Sequence, residues 1–239
     1  MDRINLLVNG ASVSRGPNSW PYFLSEQMDA NLVNLSQAGA GSQYILYTTL
    51  AEVYSREYNL VLVMWPEPHR YDLQVEDISY FSKSTYTSEH QSYMNDWPEK
   101  VIHPINDQDL VQKDWIFGIG HINNDKTLRQ TKAFDAIYRY VGSKQFANRL
   151  VSNVLLLQNT LQHLNIPYIF TFDNDYNDLL SETDLYSKMD FDRIISDDYL
   201  FSIANRLNDY EQDNLHPGMQ THKEWASIVE KYITANNIL

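Results

Sequence analysis

The chain has 239 residues, a hydrophobic share of 43% and a formal net charge of −13 from 31 acidic and 18 basic residues. That length suits one large domain with a packed core, and the acidic surface repels phosphate backbones and anionic lipid, which argues against nucleic acid as a partner. With no cysteine there is no disulfide, thiol catalysis or thiolate metal site, and no run approaches the roughly 18 uncharged apolar residues of a membrane span.

The first third alternates strand and helix. RINLLV (3–8) reads as a strand and SWPYFLSEQMD (19–29) as a helix that tolerates Pro21 in its first turn. NLVNLS (31–36) is a second strand. SQYILYTTLAEVYSRE (42–57) is a second helix, with Ser42 as its expected N-cap and Leu46, Leu50 and Val53 on one face. NLVLVMW (59–65) is a continuous apolar run, as expected of a strand buried on both faces. This order predicts an α/β fold, a three-layer α/β/α sandwich around a mainly parallel sheet of flavodoxin-like type.

From Pro66 to about Asp125 the pattern degrades, which predicts an irregular aromatic-rich insertion (66–125) at the carboxyl edge of the third strand, within a single domain spanning 1–239. Its aromatics include Tyr71, Tyr80, Phe81, Tyr86, Tyr93, Trp97 and Trp115. They read first as a small satellite core, with a lid over the site or a docking surface for another protein as the functional versions. Two helices are then expected at about 126–141 and 144–164, broken at Gly142, with Phe146, Leu150, Val154, Leu157, Leu161 and Leu164 at helical spacing. IPYIFTF (166–172) is a fourth strand and SDDYLFSIANRL (196–207) a short helix. The last helix begins near THKE, where Thr221 and Glu224 have capping-box spacing, and runs to about Ala235.

Two stretches carry chemistry. LLVNGASVSRG (6–16) places Ser12 and Ser14 directly after a strand, where parallel sheets present catalytic groups. DNLHPG sets Asp213 three residues before His216, a spacing that lets the carboxylate hold one ring nitrogen while the other accepts a proton from serine. Pro217 biases His216 toward an extended backbone. Ser12, His216 and Asp213 thus form a candidate nucleophile, base and orienter; Ser14, two residues deeper in the loop, is the rival serine.

NGASVSRG resembles the first block of the SGNH (GDSL-like) hydrolases, in which a serine follows Gly-x and a glycine comes four residues later; Ser12 and Gly16 fit, with Ala11 where Asp is usual. NLSQAG (34–39) resembles the second block and DNLHP the last. The resemblance implies a serine esterase needing no cofactor and no metal, with the Ser12 and Gly39 amides as the oxyanion hole. Its substrate would be a small-molecule or carbohydrate ester, an O-acetylated carbohydrate being the candidate. The third block departs: MWPEPHRYD (64–72) has no Gly-x-Asn-Asp. His69 or Arg70 is the candidate substitute donor, Arg70 first, with pairing of Arg70 to an acid such as Asp72 as the alternative. This third block resembles that of short SGNH-like proteins of tailed phages and bacteria. A second reading is therefore a non-catalytic SGNH-like binding or structural module, for example a virion component. MDRINLLVNG shows no signal-peptide pattern, so the expected location is the cytoplasm, or a virion if the chain is of phage origin.

Other motifs read as structural. AGAGS lacks the further glycine or Gly-Lys-Ser/Thr of a phosphate cradle. DNDYND (173–178) lacks the glycine and glutamate of a calcium loop and is expected to be a solvated loop. His90, His103, His121, His163 and His222 show no metal spacing and read as structural or surface residues.

Overall fold

Apolar residues on alternate sides of each strand divide the core of the computed structural model, which describes residues 3–74, 115–118, 141–213 and 216–239. Strands β1 (Asn5–Asn9), β2 (Asn31–Asn34), β3 (Leu60–Trp65), β6 (Tyr168–Phe172) and β7 (Ile194–Ile195) pair in the order β2-β1-β3-β6-β7, all parallel. Register is set by pairs such as Leu7 with Val33, Val8 with Leu62, and Val63 with Phe170. In β3, Val61, Val63 and Trp65 face one layer while Leu60, Leu62 and Met64 face the other, all at most 2% exposed. A parallel strand covered on both sides gives this continuous apolar run.

The first layer is formed by α2 (Ser42–Ser55) and α3 (Ser143–His163). Phe146, Leu150, Val154, Leu157 and Leu161 bury the inner stripe of α3, as their spacing predicts, and Gly142 is its N-cap. The second layer is formed by α1 (Trp20–Gln27), α5 (Leu200–Leu207) and α6 (Met219–Ala235). Trp20 and Trp225 are both 1% exposed or less there. Burying a large apolar side chain stabilises the fold by about 1.5–3 kcal/mol, so this pair fixes α1 against α6 over the sheet. The expected three-layer α/β/α architecture is the one observed.

Several local expectations give way to tertiary structure. The insertion is regular at its root, where β4 (Tyr71–Gln74) pairs antiparallel with β5 (Trp115–Gly118). Tyr71 belongs to the main body, its ring lying under the Arg149 guanidinium at 4.2 Å. Tyr80, Phe81, Tyr86, Tyr93, Trp97, the helix expected at 126–141 and the histidines at 90, 103 and 121 lie outside the described residues. DNDYND is not a solvated loop throughout. Asp173 is 2% exposed and accepts the Tyr176 hydroxyl at 2.8 Å, and α4 (Asn177–Ser181) follows. No helix among the described residues is long and apolar enough to cross a membrane.

The two helix starts nearest the site are also capped differently. Gly41, not Ser42, is the N-cap of α2, and the carboxylate of Asp72 supplies its acceptors, taking the amides of Gly41 at 2.6 Å and Tyr44 at 2.8 Å. Gly218 is the N-cap of α6, and Thr221 does not form a capping box. Its amide donates to Asp209 at 2.6 Å, while Glu224 pairs with Arg206. A carboxylate accepting first-turn amides satisfies donors that no intrahelical carbonyl reaches. Here both carboxylates arrive from elsewhere in the chain.

Candidate active site

β1 delivers the loop of Ser12, the candidate nucleophile loop, to the carboxyl edge of the sheet, and Asn9 anchors the delivery. Its side-chain amide donates to Ile45 O at 3.2 Å, Thr48 Oγ1 at 2.8 Å and Thr49 Oγ1 at 2.9 Å, while its Oδ1 accepts the Gly10 amide at 2.8 Å. Ser12–Ser14 then form one 3₁₀ turn, with the Arg15 amide bonded to Ser12 O at 3.1 Å. Gly16 takes φ +101°, a conformation glycine adopts without steric cost, which matches its place in the first block.

The two serines separate by environment. Ser14 is fully buried; its hydroxyl accepts Trp20 Nε1–H at 3.0 Å and points at Met64 Sδ 3.6 Å away, so it is a structural group. Ser12 is half-buried, and among the described residues its hydroxyl makes no hydrogen bond. That leaves Ser12 as the loop's serine available for chemistry.

The nucleophile loop is welded to the loop after β2. Asn34 Nδ2 donates to Ser14 O at 2.8 Å, and the Gln37 amide donates to Gly10 O at 3.1 Å. Two residues on, Gly39 is buried with φ +81°. Among the described residues neither the Ser12 amide nor the Gly39 amide donates a hydrogen bond. Buried amides are nearly always paired, so an unspent one at this edge is a ready donor for an oxyanion. Asp72 supports the same loop from below through Gly41; burial pushes its carboxyl up to about 6, against the Tyr44 and Gly41 amides and the Arg149 charge that favour ionisation.

Asp213 and His216 meet as their spacing predicts. His216 Nδ1 lies 2.5 Å from Asp213 Oδ2, and the His216 amide donates to Asp213 Oδ1 at 2.9 Å. The loop is tied by the Glu211 amide to His216 O at 2.8 Å and by a bridge between Tyr210 and Pro217. With Nδ1 engaged by the carboxylate, Nε2 is the nitrogen left to exchange a proton. His222 is the contrasting histidine. It is 5% exposed, and burial holds its imidazole down at about 4 against the pull of Asp209, so it is a neutral core residue.

The packing of two helices brings the halves to one end of the sheet. Lys223 Nζ lies 5.3 Å from the Phe23 ring centre, and Gln27 Nε2 donates to Ser227 Oγ at 3.3 Å. The same four-residue step on both helices means that α1 and α6 run in parallel. The nucleophile loop precedes α1 and the His216 loop precedes α6, so both open on the same edge. The serine and the imidazole are not hydrogen-bonded to each other; such contacts commonly tighten only in the substrate complex.

The residues expected to replace the third-block asparagine have other partners. His69 Nε2 lies 3.4 Å from Ser143 Oγ, and its ring packs 5.3 Å from that of Phe146, both on α3. Arg70 has an acid partner, as the alternative expected, but that acid is Glu67 at 3.7 Å and not Asp72. Its Nε and Nη1 are buried without a hydrogen bond, and its charge acts on the buried Asp173. Burial pushes Asp173 up to about 6, opposed first by Arg70 and then by the Tyr176 hydroxyl. Neither His69 nor Arg70 bonds to the nucleophile loop among the described residues.

Among the described residues one cluster of metal-type donors lies in this region. Ligand atoms of Glu211, Asp213 and His216 lie within 4.8 Å of one another, at exposed or half-exposed positions. A cation there would occupy the nitrogen or carboxylate that His216 would need to act as a base. Clefts of about 430 Å³ beside Phe191, Arg193 and Tyr232 and about 420 Å³ beside Asn5, Arg56 and Leu164 contain none of the candidate residues.

Neither a protein-family model nor a curated protein matches the sequence. Solved structures do. The psychrotrophic esterase EstA from Pseudoalteromonas sp., inhibited by monoethylphosphonate, superposes with a TM-score of 0.51 at 14% identity, over 97% of each chain. A lipolytic protein of the G-D-S-L family from Desulfitobacterium hafniense gives 0.46 at 11% identity, over 99% of this chain and 100% of the other. A catalytic mutant of Axe2, an acetylxylan esterase from Geobacillus stearothermophilus, gives 0.49 at 11% identity, over 96% of this chain and 94% of the other. At such identities the likeness is one of fold. The chain has the three-layer fold of the SGNH (GDSL-like) esterases.

Proposed function

We propose that the protein is a serine ester hydrolase in which Ser12 is the nucleophile, His216 the general base and Asp213 the residue that orients it. The observation that carries this reading is the doubly bonded Asp213–His216 pair, opening on the sheet edge where Ser12 has an uncommitted hydroxyl. Ser12 Oγ attacks the ester carbonyl carbon as its proton passes to His216 Nε2. The carbonyl π pair moves onto oxygen, where the Ser12 and Gly39 amides receive the charge. Collapse of the tetrahedral intermediate breaks the bond to the alcohol, which leaves with the proton from His216. Water then repeats the sequence on the acyl-enzyme, releasing the acid and regenerating Ser12. Asp213 keeps Nδ1 protonated and stabilises the imidazolium.

The proposed substrate is a short-chain ester, with an O-acetylated carbohydrate as the natural form tested first. Support for the carbohydrate form is compositional: sugar rings stack on aromatic side chains, of which the chain has 17 tyrosines, five tryptophans and nine phenylalanines, with Trp20, Trp65 and Trp225 committed to the core. p-Nitrophenyl acetate and acetylated oligosaccharides separate the levels of the proposal. Turnover of the first supports an esterase, and release of acetate from the second supports the carbohydrate assignment. Absence of turnover across the panel contradicts the hydrolase reading.

A further inference from the structure

The cleft of about 430 Å³ lies along β7, the edge strand of the sheet, and is lined by residues on either side of that strand and by the C-terminal end of α6. A helix rises about 1.5 Å per residue, which puts Tyr232 roughly 20 Å along α6 from Met219. Met219 closely follows the His216 loop, so the cleft is remote from the candidate base. Its walls are tied together. The Tyr232 hydroxyl donates to Asp192 O at 2.9 Å, and Asn236 Nδ2 donates to Tyr232 O at 2.9 Å. The Phe191 ring packs against Tyr186, centre to centre at 5.0 Å, yet Phe191 stays 43% exposed.

The charged groups that line this cleft are unspent. Arg193 Nη1 is buried without a hydrogen-bond partner, and among the described residues the Arg193 side chain makes no hydrogen bond and has no acid within 4.0 Å. Asp192 and Asp197 are exposed, and their carboxylates likewise have no partner among the described residues. One guanidinium and two carboxylates therefore share a cleft without pairing to one another. A donor buried without an acceptor is costly, and a fixed wall lowers the ordering cost of a ligand that supplies one.

The mixture of charges selects the ligand. An anion meets two carboxylates against one guanidinium, on a chain whose net charge is already −13. A cation meets the guanidinium. A neutral ligand that carries donors and acceptors side by side satisfies both signs. Adjacent hydroxyls on a sugar ring have this character: a carboxylate accepts their hydrogens, and a guanidinium donates in parallel to their oxygens. The C–H face of the same ring packs on an exposed aromatic side chain such as Phe191. The cleft volume falls within the range of small-ligand sites.

We infer that this cleft is a carbohydrate-binding site separate from Ser12, holding a neutral sugar residue against Phe191, Arg193 and Asp197. Binding there requires no turnover at Ser12, so the site stands whether or not the chain is a hydrolase.

The test is an NMR titration of the ¹⁵N-labelled chain with neutral tetrasaccharides of xylose, mannose, glucose and N-acetylglucosamine, and with inorganic phosphate. At least one sugar should give saturable shifts of the amides of residues 191–197 and 232–238. Arg193→Met keeps an unbranched stem without the charge, and Phe191→Ala removes the ring. Each should weaken that binding by about tenfold or more, the size of one charge-assisted hydrogen bond for the first. Asp197→Ala, at an exposed position, should weaken it as well, and decides the matter together with Phe191→Ala if Arg193→Met does not fold by circular dichroism. No saturable binding of any of the four sugars overturns the inference. So do shifts confined to other residues, binding that the folded variants leave unchanged, and saturation of the cleft by phosphate alone, which would make it an anion site.

Discussion

Alanine in place of Ser12 or His216 is expected to lower kcat/KM for p-nitrophenyl acetate by about 10⁴- to 10⁶-fold while the chain stays folded. The size follows from the chemistry: without Oγ there is no acyl-enzyme, and without the imidazole the hydroxyl keeps its proton. The intact fold follows from the surroundings. Ser12 Oγ makes no hydrogen bond among the described residues. The His216 side chain bonds to Asp213 on a loop where both are exposed or nearly so, and the loop keeps its backbone bond from the Glu211 amide to His216 O. Removing groups of this kind changes stability by about 0.5 kcal/mol or less. The two variants should be equally inactive, because nucleophile and base act as a unit, and the double variant should lose no more than either. A variant with parental turnover would remove that residue from the mechanism.

Asn9→Leu is expected to act in the opposite way, on stability first and on turnover as a consequence. Leucine fills a similar volume on β1 but offers no polar atom. The Thr48 and Thr49 hydroxyls still donate to Tyr44 O and Ile45 O, both at 2.7 Å, so the helix side of the network survives in part. The Gly10 amide, which donates to Asn9 Oδ1 at 2.8 Å, is orphaned in a fully buried position. An unsatisfied buried donor together with the lost amide bonds costs about 3 kcal/mol. Urea unfolding should show a lower midpoint at unchanged slope. Because Gly10 leads directly into Ser12, kcat should fall in the folded fraction as well. A stability change below about 1 kcal/mol would show that the network contributes little.

Elements whose signal is local were legible in the sequence. The continuous run Leu60–Trp65, the stripe from Phe146 to Leu161 and the i, i+3 pair of Asp213 and His216 each carry their geometry in their own spacing. Elements defined by distant partners were not. Ser42 and Thr221 have the residue type of helix caps, but Asp72 and Asp209 reach those helix starts from other segments and outcompete them. β7 has two residues, too few for any period, and is recognisable only by its pairing with β6. Ser12 and Ser14 differ little on paper; Trp20 and Met64 on the inner face decide between them. Asn9 reads as the polar end of a strand, and nothing in its neighbours announces that Thr48 and Thr49 close around it.

The most direct measurement of the central claim is the site of covalent capture by a fluorophosphonate, read by intact mass and peptide mapping. Phosphonylation displaces fluoride from phosphorus by an activated serine oxygen, so it reports nucleophile and base together and needs no knowledge of the natural substrate. One adduct per chain is expected, on the peptide containing Ser12, formed in the parent chain and not in His216→Ala. No adduct, an adduct on Ser14 or another residue, or capture of Ser12 at the same rate without His216 would contradict it.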